Sequence, residues 1–433
     1  AEQMDITLFS KNYGLPRFAG NQIHQNMAEE DSYVSIRVFH NSRLGSCSTN
    51  RCDKASIRAS VEKAMGIAAL NEPVRDFPGF AQPTEVAELK ESPFIAATAD
   101  TDAQARGDLA DSILSEVRQR GFEAAGAVEN GVYEKAVSTS CGQHLYQQET
   151  SAKLNLVVNR PGQAGFGTGL ARWLGRDISE LDCRSKARQA VEISALNTNP
   201  AAVEAGEYQV ILTPEAVGLL LYYLSWMGFH SRAFHSRQSF MAGRVGEQVL
   251  DAKLSIWDDG LDCSSFAMPF DWEGRPKQRV DFIENGRARD VVYDAATAAA
   301  VGKESTGHAL SLVRDRYYSS PLPTNLFIGP GNESIEGMIA SSERAILINS
   351  FWYVREVHWG KAAVTGMTRD GTFLVEDGKI TTALPNLRFT QSIVETLQKI
   401  ISIGKEVSLT EQYNGVAMVP ALKLAKFNIV GSS

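Results

Sequence analysis

The chain has 433 residues, of which 43% are hydrophobic and 22% are charged, and its formal net charge is −8. A chain of this length exceeds one ordinary hydrophobic core, so we expect two domains. The acidic balance and the lack of any Lys/Arg run exclude the electrostatic footprint of a nucleic-acid-binding protein. They favour a peptide, a small molecule or another subunit as the partner.

The opening segment, AEQMDITLFSKNYG, has no charged stretch followed by an apolar core, so we expect no signal peptide. The most apolar window, 217–229, is shorter than the roughly 20 residues that a membrane span needs, so we expect no membrane association. Five scattered cysteines form no CxxC pair and predict no disulfide framework: Cys47, Cys52, Cys141, Cys183 and Cys263. We therefore expect a reduced, cytoplasmic protein.

The first third predicts three strands and two helices. The segments RFAGNQIHQN, SYVSIRVFHN and RLGSCST each have the composition of a strand, with a turn at Asn41-Ser42. The helical spacing of apolar residues then predicts a helix over 53–70, with Asp53 as its N-cap. A proline-rich connection precedes a second helix, which we expect from Asp102 to Arg120.

The next part of the chain repeats this order of strands followed by a helix. The segment FEAAGAVENGVYEKAVSTS predicts a hairpin that turns at Asn130-Gly131, a pair suited to the positive φ angles of a type I′ turn. KLNLVVN predicts a further strand, and a helix is expected from Ile178 to Leu196. We therefore predict an N-terminal α+β domain over 1–200, with helices on an antiparallel sheet.

From Tyr208 onward the pattern changes. An apolar helix begins near Thr213, and the segments that follow are short and strand-like. Asn285-Gly286 and Asp377-Gly378 each stand between alternating apolar residues and predict hairpins. A late helix is expected from Gln391 to about Ile401. We predict a second, mainly antiparallel β domain over 201–433.

Two motifs resemble nucleophilic sites. In ESTGHAL, Ser305 stands near His308, but no GxSxG elbow occurs and a polar turn is the preferred interpretation. In TSCGQHLY, Cys141 precedes His144 by three residues. Catalytic cysteine–histidine pairs are usually neighbours in space rather than in sequence, so a structural cysteine is preferred.

Phosphate and metal sites are also weakly supported. The glycine-rich stretch 162–169 matches neither the P-loop nor GxGxxG, and we interpret it as a surface loop that could carry function. His230 and His235 are five residues apart, a poor helical spacing for shared ligation. An acidic group is interpreted as a solvated turn: Asp251, Asp258, Asp259 and Asp262.

A series of motifs resembles the TldD/PmbA (TldE) family of peptidases, which are also described as modulators of DNA gyrase. In chain order they are LPRFAGNQIHQN, SYVSIRVFHN, YQVILTPEAVGLLLYYL, SFMAGRVGEQVL, FDWEGRPKQRVDFIENGRARDVVYDAATAAAVGKESTGHA, PLPTNLFIGPGNESIEGMI, TFLVEDGKI and VPALKL. The resemblance implies an α+β N-terminal domain followed by a β-rich, partly barrel-like C-terminal domain.

In the TldD branch the resemblance implies a zinc-binding HExxxH on the helix that opens the second domain. Here Pro214 and Leu219 occupy its two histidine positions, and Glu215 occupies the general-base position. A further cysteine ligand of the family corresponds to Ile403, in IGKE. The chain is therefore similar to the TldE (PmbA) branch. The residues alone explain this sequence as the start of a helix. Thr213 can act as the N-cap, Pro214 fits N1, and the helix dipole favours Glu215 at N2.

The resemblance thus implies a metal-free subunit without catalytic residues of its own. Its partner would be a TldD-like chain that carries the zinc, and its substrate a peptide or an unfolded protein. Two alternatives stay open. One is a non-hydrolytic, homodimeric peptide- or protein-binding module, and the other is an independent metallopeptidase with relocated ligands such as His230, His235 and Asp258.

Overall fold

A computed structural model describes residues 1–74, 77–161, 167–311 and 321–432. Within them, six strands form a first sheet that is antiparallel throughout, in the order β3-β2-β1-β4-β5-β6. Its strands are β1 (Gln3–Ala19), β2 (Gln22–His40), β3 (Arg43–Thr49), β4 (Glu123–Thr139), β5 (His144–Asn159) and β6 (Gly169–Gly175). The predicted turn at Asn41-Ser42 is confirmed, because both residues have positive φ.

Helices cover one face of this sheet and bury its alternate residues. They are α1 (Lys54–Leu70), α2 (Ala96–Ala99), α3 (Ala103–Gln119) and α4 (Cys183–Leu196), with a 3-10 turn at Ile178–Glu180. The two long predicted helices, α1 and α3, are confirmed. Asp53 caps α1 by accepting from Ser56 N at 3.0 Å, and Asp102 caps α3 by accepting from Ala105 N at 2.9 Å.

The predicted hairpin at Asn130-Gly131 is wrong, because β4 runs straight through it. The Asn130 side chain is buried, where it donates to Thr98 O at 2.6 Å and accepts from Arg106 Nη1 at 2.9 Å. At Gly131, a Cβ would lie 2.6 Å from Tyr13 Cβ, so glycine permits close strand packing. β4 instead turns after Thr139 and pairs with β5, which begins at His144. A separate hairpin, between β1 and β2, lies inside the strand predicted from RFAGNQIHQN, at Gly20-Asn21, where both residues have positive φ.

The second part of the chain forms a mostly antiparallel sheet of eleven described strands. They are β7 (Gly206–Leu212), β8 (Ile256–Asp258), β9 (Val280–Glu284), β10 (Arg287–Ala288), β11 (Asn325–Ile328), β12 (Arg344–His358), β13 (Ala363–Glu376), β14 (Lys379–Ala383), β15 (Leu387–Ser392), β16 (Ile400–Gln412) and β17 (Gly415–Ser432). Because β7 pairs with both β12 and β17, the strands β17, β15, β13, β12 and β7 close into a ring. This is the barrel-like part of the fold.

One long helix and several short ones accompany this sheet. They are α5 (Pro214–Gly228), α6 (Ser231–His235), α7 (Ala295–Ala299), α8 (Ile335–Ala340) and α9 (Ile393–Leu397), with a 3-10 turn at Trp359–Lys361. Both predicted hairpins are confirmed, with positive φ at Asn285-Gly286 and Asp377-Gly378. The late helix is wrong in extent. It ends at Leu397, because the residues from Ile400 onward pair with β17.

The predicted fold class is confirmed: two α+β domains, the second mainly β. The boundary between 1–200 and 201–433 stays a prediction, although α4 ends at Leu196 and β7 begins at Gly206. The face of the first sheet opposite its helices packs on the second domain. There, buried Lys135 donates to Phe270 O at 3.0 Å and lies over the Trp272 ring. None of the helices in the described residues is long and apolar enough to cross a membrane.

Candidate functional site

The helix α5 follows directly from the strand β7, and its first turn holds the residues at which the resemblance places the family's zinc motif. Thr213 occupies the N-cap position and Pro214 occupies N1, both as predicted. The Thr213 side chain makes no hydrogen bond to the helix. Its hydroxyl donates instead to Asn349 O on β12 at 2.6 Å. The helix start is therefore fastened to the ring of strands.

Glu215, at the general-base position, pairs with an arginine from the other domain. Its Oε1 contacts Arg172 Nη1 on β6, with side-chain exposures of 27% for Glu215 and 48% for Arg172. Arg172 Nε also donates to Asn155 Oδ1 at 3.3 Å. The carboxylate also stands in the first turn of α5, near the positive end of the helix dipole. Glu215 therefore has a structural explanation, since it joins the start of α5 to the first sheet.

The three positions that the resemblance assigns to zinc ligands carry no side-chain donor atoms. Leu219 packs against the large hydrophobic cluster of the second domain, and Ile403 is a buried member of that cluster. Pro214 likewise offers no side-chain nitrogen, oxygen or sulfur. Zinc in proteins takes Cys, His, Asp or Glu ligands, so these three residues do not fit it. Among the described residues, no group of three or more such side chains is placed to hold a metal ion.

Gly218, one turn into α5, lets the helix lie against β16. A Cβ at this position would overlap Thr410 Oγ1 and would come within 3.0 Å of Gln412 Nε2. Thr410 cannot easily move aside, because it is buried and its hydroxyl donates to Ala417 O at 3.1 Å. The helix α5 thus lies close to the strand β16 because residue 218 has no side chain.

Replacing Gly218 with alanine is expected to lower the free energy of unfolding by about 1–3 kcal/mol, because the added methyl group overpacks this contact. The matched control is Gly107→Ala in α3, where no atom lies within 4 Å of the added carbon. That change should instead raise stability by roughly 0.5–1 kcal/mol. Urea unfolding of both variants checks the pair. Equal effects of the two substitutions would contradict the close packing at Gly218.

The motif ESTGHAL does not form a serine nucleophile. The Ser305 hydroxyl donates to Tyr293 O at 3.2 Å and does not face His308. The His308 ring contacts Asp258 Oδ1 through Nε2 and Thr306 Oγ1 through Nδ1, each at 2.9 Å. Because a carboxylate only accepts hydrogen bonds, Nε2 carries the proton that Asp258 accepts. The polar interpretation of this motif is right, but its histidine is fully enclosed.

His308 belongs to a sealed cluster of charges centred on Asp258, which is 0% exposed. Asp258 Oδ2 accepts from the backbone N of Thr324 at 2.8 Å and of Asn325 at 2.7 Å, and Lys277 Nζ lies 3.5 Å from Oδ1. Burial alone would raise the pKa of Asp258, but Lys277 and His308 outweigh it and hold that pKa below its ordinary value. The prediction that Asp258 lies in a solvated turn is therefore wrong.

The other three acids of that group accept hydrogen bonds in turns, as predicted. Asp251, Asp259 and Asp262 accept from the backbone nitrogens two residues further along the chain. Of these four acids only Asp258 is fully buried, because it lies on β8 next to Lys277 and His308.

The remaining sequence candidates do not come together. His144 Nδ1 contacts Ser138 Oγ at 2.8 Å, across the β4–β5 pair, while Cys141 lies in the turn. His230 caps α6, and burial lowers its pKa to about 4. His235 Nε2 contacts Tyr293 Oη at 3.0 Å. The described contacts give no support to a thiol nucleophile or to relocated metal ligands.

Part of the glycine-rich stretch 162–169 has a structural role. Residues 162–166 lie outside the described residues. At the other end, Asn197 Nδ2 donates to Thr168 O at 3.0 Å. A Cβ at Gly169 would overlap Ala190 O of α4. These glycine-rich residues therefore permit close packing of β6 on the helix.

Sequence reasoning missed three residues of these networks: Arg172, Lys277 and Asn325. No local signal marks them, since each is a single polar residue in an ordinary strand or loop. Glu215 is 43 positions from Arg172, and Asp258 is 67 positions from Asn325 along the chain. Only the tertiary fold brings them together.

Comparison with known proteins agrees with this architecture. A family model described as the PmbA/TldA metallopeptidase C-terminal domain matches residues 205–431, and one described as PmbA/TldA metallopeptidase domain 1 matches residues 17–68. TldE from Thermococcus kodakarensis has a similar structure, with a TM-score of 0.90 and 21% identity, covering 99% of this chain and 97% of that chain.

Two sequence relatives are informative. Metalloprotease PmbA from Escherichia coli O157:H7 is 22% identical over 91% of this chain and 86% of the relative. A metalloprotease TldD homolog from Buchnera aphidicola subsp. Acyrthosiphon pisum is 26% identical over 58% of this chain. The chain spans about half the length of that relative, 52%.

Proposed function

This chain belongs to the TldD/PmbA metallopeptidase family, and we propose that it is the metal-free, TldE-like subunit of a heterodimeric zinc metallopeptidase. In this proposal a TldD-like partner binds the zinc and cleaves peptides or unfolded proteins. This chain completes the substrate channel and stabilises the partner. It contributes no catalytic residue.

One observation carries the proposal: the three positions that would hold zinc are Pro214, Leu219 and Ile403. A hydrolytic zinc site needs three protein ligands and an open position for water. Here Ile403 lies in a hydrophobic core and Leu219 packs against it, so both side chains serve packing rather than metal binding. Glu215 supports the same proposal, because its carboxylate pairs with Arg172. A carboxylate without a metal ion cannot polarise a peptide carbonyl as zinc does.

The chain's part in substrate binding would be to hold an extended peptide. Pairing between a peptide backbone and a strand edge gives affinity with little dependence on the peptide's sequence. Such binding suits an enzyme that degrades unfolded chains. In the proposed heterodimer, both subunits would present strands to the same channel.

Co-expression with a TldD-like partner tests the proposal. The purified complex is expected to cleave an unstructured peptide, and a chelator should remove that activity until zinc is restored. The chain purified alone should show no cleavage above background. A stable homodimer that ignores the partner in size-exclusion with mass measurement would contradict the proposal and favour a non-hydrolytic binding module.

A further inference from the structure

The sealed cluster around Asp258 places a lysine amine against an asparagine side-chain amide. Lys277 Nζ donates to Asn325 Oδ1 at 2.8 Å, and the two residues are 48 positions apart along the chain. A carbonyl carbon lies only about 1.2 Å from its oxygen, so the amine is within reach of the amide carbon. The Lys277 side chain and Asn325 are each 2% exposed. The pair is therefore held together out of contact with bulk water.

The other polar groups of the cluster suit acyl transfer between these two side chains. Asp258 Oδ1 lies 3.5 Å from Lys277 Nζ, where it can take a proton from the ammonium group. The Thr324 hydroxyl donates to Asn325 Oδ1 at 3.0 Å, so it can stabilise negative charge on that oxygen. Asn325 Nδ2 donates to Phe266 O at 2.5 Å, which fixes the plane of the amide. A nucleophile, a base, an oxyanion donor and a leaving group are thus in one place.

The enclosure of the cluster favours a reaction over a permanent ion pair. A buried ammonium–carboxylate pair carries a desolvation penalty, which disappears if both groups become uncharged. Burial raises the pKa of Asp258 and the Lys277 charge opposes it most strongly, so the carboxyl keeps a proton once that charge is gone. Exclusion of water also prevents hydrolysis from competing with attack by the amine.

We propose that Lys277 and Asn325 condense to an isopeptide bond, an amide between the two side chains, with Asp258 as the base. Asp258 takes one proton from the ammonium, and the freed lone pair of Nζ forms a bond to the amide carbon. A second proton passes from Nζ to Nδ2, the bond between the carbon and Nδ2 breaks, and ammonia leaves. An uncharged amide and a protonated carboxyl replace the ion pair, so atoms and charge balance. The proposal does not depend on the proposed peptidase role.

Mass spectrometry of the full chain tests the proposal. The denatured, intact chain is expected to weigh one ammonia molecule less than its sequence requires. Trypsin does not cut after an acylated lysine, so the digest should contain residues 254–279 joined to residues 317–344. Fragmentation of this branched peptide should place the link on Lys277 and Asn325.

The chain offers an internal control and a matched pair of variants. Lys423 is also buried, but it donates to the Ser341 hydroxyl at 2.9 Å, so trypsin should cut after it in the denatured chain. Asp258→Asn removes the base and keeps the shape of the side chain, and it should have the full mass of its sequence. Asp290→Asn changes a half-exposed aspartate that also pairs with a lysine, and it should keep the link.

Three results would overturn the proposal. They are the full sequence mass in the parent with cleavage after Lys277, an ammonia loss located elsewhere, such as a succinimide at Asn285-Gly286, or the link intact in Asp258→Asn. If Asp258→Asn does not fold, the digest of the parent decides, because the joined peptide is either present or missing.

Discussion

Replacing Asp258 with alanine is expected to lower the free energy of unfolding by about 3–5 kcal/mol, because the change leaves the buried ammonium group of Lys277 without a counter-charge. Lys277 is 2% exposed and lies 3.5 Å from the Asp258 carboxylate. Without that carboxylate, Lys277 keeps its hydrogen bond to Asn325 Oδ1 at 2.8 Å but loses its counter-charge. His308 and two backbone N–H groups lose their acceptor at the same time. Equilibrium urea unfolding of the chain measures the loss.

The control for this prediction is Asp290→Ala. Asp290 also pairs with a lysine, Lys303 at 3.0 Å, but both side chains are about half exposed, at 52% and 46%. Exposed pairs contribute about 0–1 kcal/mol, so this variant should be nearly as stable as the parent. The double variant Asp258→Ala/Lys277→Met should lose less than the sum of its single variants. Strict additivity, or a small effect of Asp258→Ala, would contradict a coupled buried cluster.

Replacing Glu215 with glutamine is expected to leave the peptidase activity of the proposed complex within about twofold of the parent. A general base contributes about 100-fold or more to the rate of such a reaction. Glu215 would contribute nothing of this kind, because Pro214 and Leu219 beside it cannot hold a metal ion and its carboxylate pairs with Arg172. Initial rates on an unstructured peptide, with both subunits co-purified, measure the effect.

The matched control changes the glutamate in the partner's HExxxH to glutamine. That change should lower the rate by about 100-fold or more. Arg172→Gln serves as a second control, since it breaks the same ion pair as Glu215→Gln and should likewise spare the activity. A large loss of rate in Glu215→Gln, with the complex still intact, would show that this chain takes part in catalysis.

The sequence predicted the fold class correctly where local chemistry decided the outcome. Asp53 and Asp102 begin helices because their carboxylates accept from backbone N–H groups three residues later. Asn285-Gly286 and Asp377-Gly378 form hairpins because both residues of each pair adopt positive φ at a low conformational energy. These signals depend on neighbours in the chain and need no tertiary information.

Prediction failed where a distant partner outweighed the local signal. Asn130-Gly131 has the same composition as the true hairpins, yet Arg106 and Thr98 take up the asparagine amide, and strand packing requires the glycine. The late helix stopped at Leu397 because β17 supplies a strand partner from Ile400 onward.

The candidate site shows the same division. The motif located α5 and its residues, but nothing in the sequence pointed to the Arg172 pair on Glu215 or to the enclosure of Asp258.

The central claim is that this chain is a subunit without a zinc site of its own. Its most direct test is the metal content of the chain purified alone and of the complex with a TldD-like partner, each measured by mass spectrometry after dialysis. We predict no zinc in the chain alone and one zinc per heterodimer. One zinc per chain in the protein purified alone, together with peptide cleavage, would contradict the claim.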